Sequence, residues 1–234
     1  MNALFEQILD FLLPRRCPLC GHLVGGSKTM LCAKCALETP FALENDTRDN
    51  ELARLFWHIL PVEKAFHLMH YLPDSPSAAL ITAPKFNRRD DIAIGVGRLL
   101  AMHTPKEFFE DIDVIVPMPS YKKRLRQRGM NHIAIEVEAM LGELGLPIPV
   151  AGDAVKRIRY VKSQIGLAHG QRIGNVKSED FEVRRPEMLE GRHILIVDDV
   201  ITTGTSVYSL ARAIMAECKG VRFSILAVAR GKID

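Results

Sequence analysis

The chain has 234 residues, of which 47% are hydrophobic and 25% charged, with a formal net charge of +3. That length and balance fit one good-sized domain with a small appendage and an ordinary buried core. The mild positive charge is no argument for nucleic acid by itself, and no window of about eighteen uncharged apolar residues marks a membrane span.

The first segment, MNALFEQILDFLLPRR, reads as an amphipathic helix with Leu4, Phe5, Ile8, Leu9 and Leu12 on one face and Pro14 ending it. A signal peptide would need a basic start and a small-residue cleavage site, and would not carry Glu6 and Asp10. The expected location is the cytoplasm.

Four of the five cysteines follow in CPLCGHLVGGSKTMLCAKC. Cys17 and Cys20 form one C-x-x-C pair, and Cys32 and Cys35 form a second. Two such knuckles aim four thiolates at one centre, which suits tetrahedral Zn²⁺, with Gly21, Gly25 and Gly26 supplying turns. Disulfides do not fit a cytoplasmic chain, and a redox motif needs only one C-x-x-C. Four thiolates close the shell, so the zinc should be structural and His22 a bystander. Cys218 falls in the apolar stripe of Val207, Leu210, Ala211, Ile214 and Met215, and reads as core.

The zinc module is expected to end near Pro40, followed by the polar connector ENDTRDNE. Helices are expected over 51–60 and 88–103, with strand-like pieces at 65–72 and a strand at 114–116. The basic run YKKRLRQRG comes next, then a helix over 131–144 with Ile133, Val137, Met140, Leu141 and Leu144 at helical period. Residues 156–177 are basic and irregular, the mark of a functional loop or lid. A strand at 194–197, a helix at 205–218 and a last strand in VRFSILAVAR complete an alternation that argues for a parallel sheet covered on both faces.

The stretch HILIVDDVITTGTSV is the most informative. Its apolar strand ends in Asp198 and Asp199, a costly place for carboxylates unless they face a partner or a ligand. Ligands of open α/β sheets bind at the carboxyl ends of strands. The turn Thr202, Thr203, Gly204, Thr205 and Ser206 then opens a helix, whose free N–H groups and dipole favour a phosphate. Together they suit a sugar phosphate of ribose 5-phosphate shape. A capped strand-to-helix turn would account for the hydroxyls but not for two carboxylates.

VDDVITTGTS resembles the phosphoribosyl-pyrophosphate (PRPP) motif of type I phosphoribosyltransferases. The resemblance implies that Asp198 and Asp199 hold the ribose 2- and 3-hydroxyls and that residues 202–206 hold the 5-phosphate. VPMP, ending at Pro119, with the basic run after it, is similar to the pyrophosphate loop of that fold, and 156–177 corresponds to its catalytic lid. With the four-cysteine knuckle, the whole chain resembles the ComF family, including its GntX-like members, which are linked to DNA uptake in competence and to DNA utilisation. Family-like positions are Lys85 in PKF, Arg128, Gly129 and Asn131 in RQRGMN, Gln164 in SQ, and the Arg172 and Asn175 pair. His132 stands where the family has Gln, and Lys162 where it has Thr.

The resemblance implies a fold of class α/β, a type I phosphoribosyltransferase-like parallel sheet flanked by helices. Residues 1–45 would form the N-terminal helix and zinc module, and 46–234 the phosphoribosyltransferase-like domain. It also implies Mg²⁺ carried with PRPP. The basic run fits a pyrophosphate clamp, a nucleic-acid patch or a solvated helix start. His132 and His169 read as ordinary surface or loop histidines, and acidic residues elsewhere as surface charge. Two functions stay open. One is phosphoribosyl transfer to an unidentified acceptor. The other is a non-catalytic PRPP or nucleotide sensor contacting single-stranded DNA or a competence protein.

Overall fold

The computed structural model describes residues 16–24, 30–43, 46–87, 89–121, 131–159 and 180–231. The expected N-terminal helix, the turns at Gly25 and Gly26, the basic run from 122 to Gly129, and Lys162, Gln164, His169, Arg172 and Asn175 lie outside them.

Four strands form one all-parallel sheet in the order β1–β6–β5–β2. These are β1 (Val62–Tyr71), β2 (Val114–Pro117), β5 (His193–Ile201) and β6 (Arg222–Gly231). Ile194 to Val197 are all 0% exposed, as expected of a continuous apolar run covered on both faces. Beyond β2, Ile115 pairs with Val150, which lengthens that edge of the sheet.

Helices α2 (Pro76–Asn87), α3 (Asp90–His103), α4 (His132–Leu144) and α5 (Thr205–Glu217) link the strands. In α4 the predicted stripe is realised, with Ile133, Val137, Met140 and Leu141 buried. In α5, Val207, Leu210, Ala211 and Ile214 face the core and Cys218 caps the end, buried as expected, whereas Met215 is turned outward. Helices α3 and α4 approach closely at Gly97, where a Cβ would collide with the Glu136 carbonyl.

Residues 51–60 depart from the expected helix. A 3₁₀ turn at Ala53–Leu55 is followed by further turns, and His58 takes a φ of 65°. Leu52, Phe56 and Leu60 are buried at helical spacing, but Pro61 and the left-handed His58 stop the helix from propagating. Helix α2 was not anticipated. Pro84 reads as a breaker, yet the helix runs through it.

The four-cysteine segment packs on this body. Arg16 bridges Leu23 around the first knuckle, and Cys32 caps α1 (Ala33–Glu38), which carries Cys35. Cys17, Leu31, Cys32 and Cys35 are buried within the same apolar cluster as the sheet. A two-stranded antiparallel ribbon, β3 (Val155–Arg157) with β4 (Phe181–Val183), flanks residues 160–179. The first residues of the expected loop are thus a strand.

Candidate functional site at the end of β5

Strand β5 carries Asp198 and Asp199 to the C-terminal end of the sheet, between β6 and β2. Two neighbours from other elements converge on Asp199. Lys85, in the last turn of α2, brings its Nζ to 2.6 Å from Asp199 Oδ2. His132, the first residue of α4, brings Nε2 to 3.1 Å from the same oxygen. The other oxygen, Oδ1, accepts from the Val200 N–H at 2.6 Å.

These contacts split the two carboxyls electrostatically. Burial works against ionisation of Asp199, but Lys85 and His132 overcome it and hold its carboxyl well below the usual range. Asp198 is 8% exposed. Burial first, and then the Asp199 charge, push its carboxyl up to about 8. The two carboxyls are thus pushed apart, Asp199 toward the charged form and Asp198 toward the neutral one.

One turn along α4 from His132, Glu136 is 2% exposed and its Oε2 has no hydrogen-bond partner among the described residues. Burial, with the Asp199 and Asp198 charges behind it, raises its carboxyl well above the usual range. Both residues correct the sequence reading. His132 is no surface histidine, since it is 6% exposed and bonded to Asp199. Glu136 is no surface charge. Their i, i+4 spacing on a helix starting beside β2 was the available signal, because it places both on one face.

The turn after β5 is shaped for a left-handed residue. Gly204 has φ 74° and ψ 1° and is the N-cap of α5. A Cβ there would lie 2.8 Å from two atoms of the Phe56 ring, itself 1% exposed. Thr203 Oγ1 and Thr205 Oγ1 share a hydrogen bond of 2.7 Å. Arg230 Nη1 ties down the strand end, donating to the carbonyls of Ile201 at 3.0 Å and Thr202 at 2.6 Å. Of the first-turn N–H groups of α5, that of Thr205 donates to Thr203 Oγ1 at 3.4 Å, while those of Ser206 and Val207 have no preceding helical carbonyl to bond, and Thr202 is exposed beside them. The helix start therefore offers donors and positive potential to an anion.

Of the remaining predicted residues, Pro119 and Asn131 are described. Pro119 is buried just past β2. Asn131 is the N-cap of α4. Its side chain accepts from Ile133 N at 3.3 Å and donates to Met118 O at 3.2 Å, so it fixes the angle at which His132 meets Asp199. Arg128, Gln164, Arg172 and Asn175 lie outside the described residues. The charge of Arg157, in β3, favours the ionised form of Asp198.

A second centre is the cysteine cluster. The sulfurs of Cys17, Cys20, Cys32 and Cys35 all lie within 4.8 Å of one another, and Cys20 and Cys32 approach to 3.4 Å. This donor set fits a closed tetrahedral zinc shell, in which Zn–S bonds of about 2.3 Å place sulfurs just under 4 Å apart. His22 Nδ1 is 3.3 Å from Cys20 Sγ, outside the shell. Burial opposes ionisation of Cys17, but backbone N–H groups led by that of Cys32 bring its thiol down to about 7.

Fold and site together define an α/β protein with a helix-flanked parallel sheet, a strand-end acidic pair, and an N-terminal four-cysteine module. Residues 8–47 match the family described as Double zinc ribbon domain, which supports a structural zinc at the four cysteines. The chain is homologous to the DNA utilization protein YhgH of Escherichia coli K12, 29% identical over 203 residues that cover 85% of this chain and 83% of the relative. The YhgH protein of Salmonella typhi is 27% identical over 203 residues, covering 85% of this chain and 77% of that relative. Competence protein F of Haemophilus influenzae is 28% identical over 154 residues, covering 64% of this chain and 66% of the relative. These relatives bear out the resemblance read from the sequence. A solved structure of the allosteric regulatory enzyme of purine biosynthesis aligns with a TM-score of 0.37 and 20% identity, over 64% of this chain. This chain spans 30% of that protein's length. Among the described residues no helix is long and apolar enough to cross a membrane.

Proposed function

We propose that the chain binds PRPP at the end of β5 and transfers its phosphoribosyl group to an acceptor still to be identified, releasing pyrophosphate. One observation supports this above all. An acidic pair on a buried strand tip directly precedes an open helix N-terminus, with a lysine and a histidine turned onto it. In this reading Asp198 and Asp199 accept from the ribose 2- and 3-hydroxyls, while residues 202–206 donate to the 5-phosphate. Pro119 and Arg128 would contribute to diphosphate binding, and Gln164, Arg172 and Asn175 to substrate binding. Residues 1–45 act as the zinc module and 46–234 as the phosphoribosyltransferase-like domain.

The chemistry required of the protein is positioning and charge. The bond from the anomeric carbon to the diphosphate oxygen breaks, the acceptor's lone pair forms the new bond, and the electron pair leaves on pyrophosphate. The Asp199 carboxylate, fixed by Lys85 and His132, holds the sugar and favours positive charge developing on it. Asp198, whose carboxyl Lys85 and His132 do not occupy, is the one able to meet Mg²⁺ on the diphosphate. The ion, when bound, would neutralise charge on the leaving group.

The relatives' names concern DNA utilisation and competence. We assign this chain to the same process, in the cytoplasm, with single-stranded DNA or a competence protein as its partner. A second reading, a non-catalytic PRPP or nucleotide sensor, is favoured by the Lys85–Asp199–His132 contact. That contact engages one carboxylate until a ligand opens it. Incubation with PRPP, Mg²⁺ and a panel of bases, amines and single-stranded DNA separates the two. Pyrophosphate release that Asp198→Asn abolishes supports transfer. Tight PRPP binding without release supports the sensor, and no binding refutes both.

A further inference from the structure

Away from the strand-end site, three side chains converge, with both imidazoles at ion-pair distance from one carboxylate oxygen. Glu51 precedes the 3₁₀ turn under the sheet, and His67 and His70 belong to β1. Glu51 Oε1 lies 3.3 Å from His67 Nε2 and 3.3 Å from His70 Nδ1. The three atoms are all within 4.8 Å of one another, and the two rings stand 5.1 Å apart, edge to face.

Each of these three atoms is buried, and beyond their contacts with one another none has a hydrogen-bond partner among the described residues. His67 as a whole is 1% exposed. Buried polar atoms without well-formed hydrogen bonds are costly, and so tight a group is relieved by an ion at its centre. The spacing says what fits. A tetrahedral ion with bonds of about 2.0–2.1 Å to nitrogen and oxygen holds its ligands about 3.3 Å apart, the separation found here. Ordinary imidazole–carboxylate hydrogen bonds would be shorter and aligned with the ring N–H.

We propose that Glu51, His67 and His70 form a second metal site, for a divalent transition ion such as Zn²⁺, separate from the four-cysteine cluster. Two imidazoles and one carboxylate oxygen are borderline donors that select such ions over Mg²⁺ or Ca²⁺. Three protein ligands leave the fourth position to water or another small ligand, and Glu51 and His70 are 31% and 34% exposed in their side chains.

The site joins two parts of the fold. Segment 46–51 is fixed to β1 through Asn50, whose Nδ2 donates to Ala65 O at 2.7 Å, and through Ala65 N donating to Thr47 O at 2.7 Å. An ion would clamp the same segment a turn further on. Arg230, opposite His70 in β6, acts electrostatically on His67 and Glu51, and its Nη1 donates to the Ile201 and Thr202 carbonyls. The ion therefore stands one side chain from the turn that follows β5.

The site is independent of the PRPP reading and is tested by metal content. Full-length chain, stripped with chelator and reloaded with Zn²⁺, should hold about two equivalents by mass spectrometry, one being the four-cysteine ion. Glu51→Gln and His70→Ala should each lower this to about one. Cobalt reloading adds a readout that does not depend on the variants. In the wild-type chain the second equivalent should add ligand-field bands with no further thiolate-to-cobalt charge transfer. One equivalent in the wild-type chain, a second equivalent that deepens the thiolate band, or two equivalents kept by both variants would overturn the proposal.

Discussion

Gly204→Ala probes the turn with a single methyl group. Two costs add. The residue stands at φ 74°, where a side chain costs about 1–2 kcal/mol because Cβ meets the following carbonyl. The new Cβ also lies 2.8 Å from two atoms of the Phe56 ring, several tenths of an ångström inside contact distance. Phe56 is 1% exposed and has no room to retreat, so the overpacking adds about 1–3 kcal/mol. The expected loss is about 2–5 kcal/mol by urea unfolding, together with weakened PRPP binding. Phe56→Leu in the same chain should recover the second cost and not the first, giving a coupling of about 1–2 kcal/mol in a double-mutant cycle. A loss below about 0.5 kcal/mol, or strict additivity with Phe56→Leu, would refute the reasoning.

Three further outcomes follow from the site. Asp198 has its carboxyl raised to about 8, so the folded chain holds a proton there that the unfolded chain releases near its ordinary value. Stability should therefore fall as pH rises from about 4 to 8, and PRPP affinity should rise roughly five- to tenfold between pH 7 and 8.5. Asp198→Asn should flatten both profiles, and a wild-type profile already flat would contradict the assignment. Lys85→Met removes the lysine ion pair of Asp199, leaving only the His132 contact from another helix, and should cost about 3 kcal/mol in chemical unfolding. An unchanged midpoint would show that the ion pair does not hold the site. Cys32→Ser should lose the structural zinc and destabilise the four-cysteine module, since the thiolate is one of four that would hold the ion. Stoichiometric zinc in that variant would rule out the four-thiolate shell.

Local pattern and tertiary contact were not equally legible. The β5 strand, its two aspartates and the glycine turn lie within fifteen consecutive residues, so periodicity and turn chemistry were enough to find them. The cysteine pairs were equally local. What the pattern could not reach was distance along the chain. Lys85 and His132 meet Asp199 from two other helices, 114 and 67 positions away in sequence, and Glu136 is buried only because Gly97 lets α3 approach α4. An acidic residue on a helix defaults to the surface, and only the packing reverses that. In 51–60 the helical spacing of Leu52, Phe56 and Leu60 was genuine, but it describes burial, which a chain of turns satisfies as well. The His67–His70 pair went unnoticed because its third member, Glu51, comes from another segment.

The most direct measurement is isothermal calorimetry of the full chain with PRPP and Mg²⁺. The account predicts saturable heat in the wild-type protein, lost or strongly reduced in Asp198→Asn and in Gly204→Ala. No heat at millimolar PRPP, from protein that is folded and zinc-loaded, would contradict it.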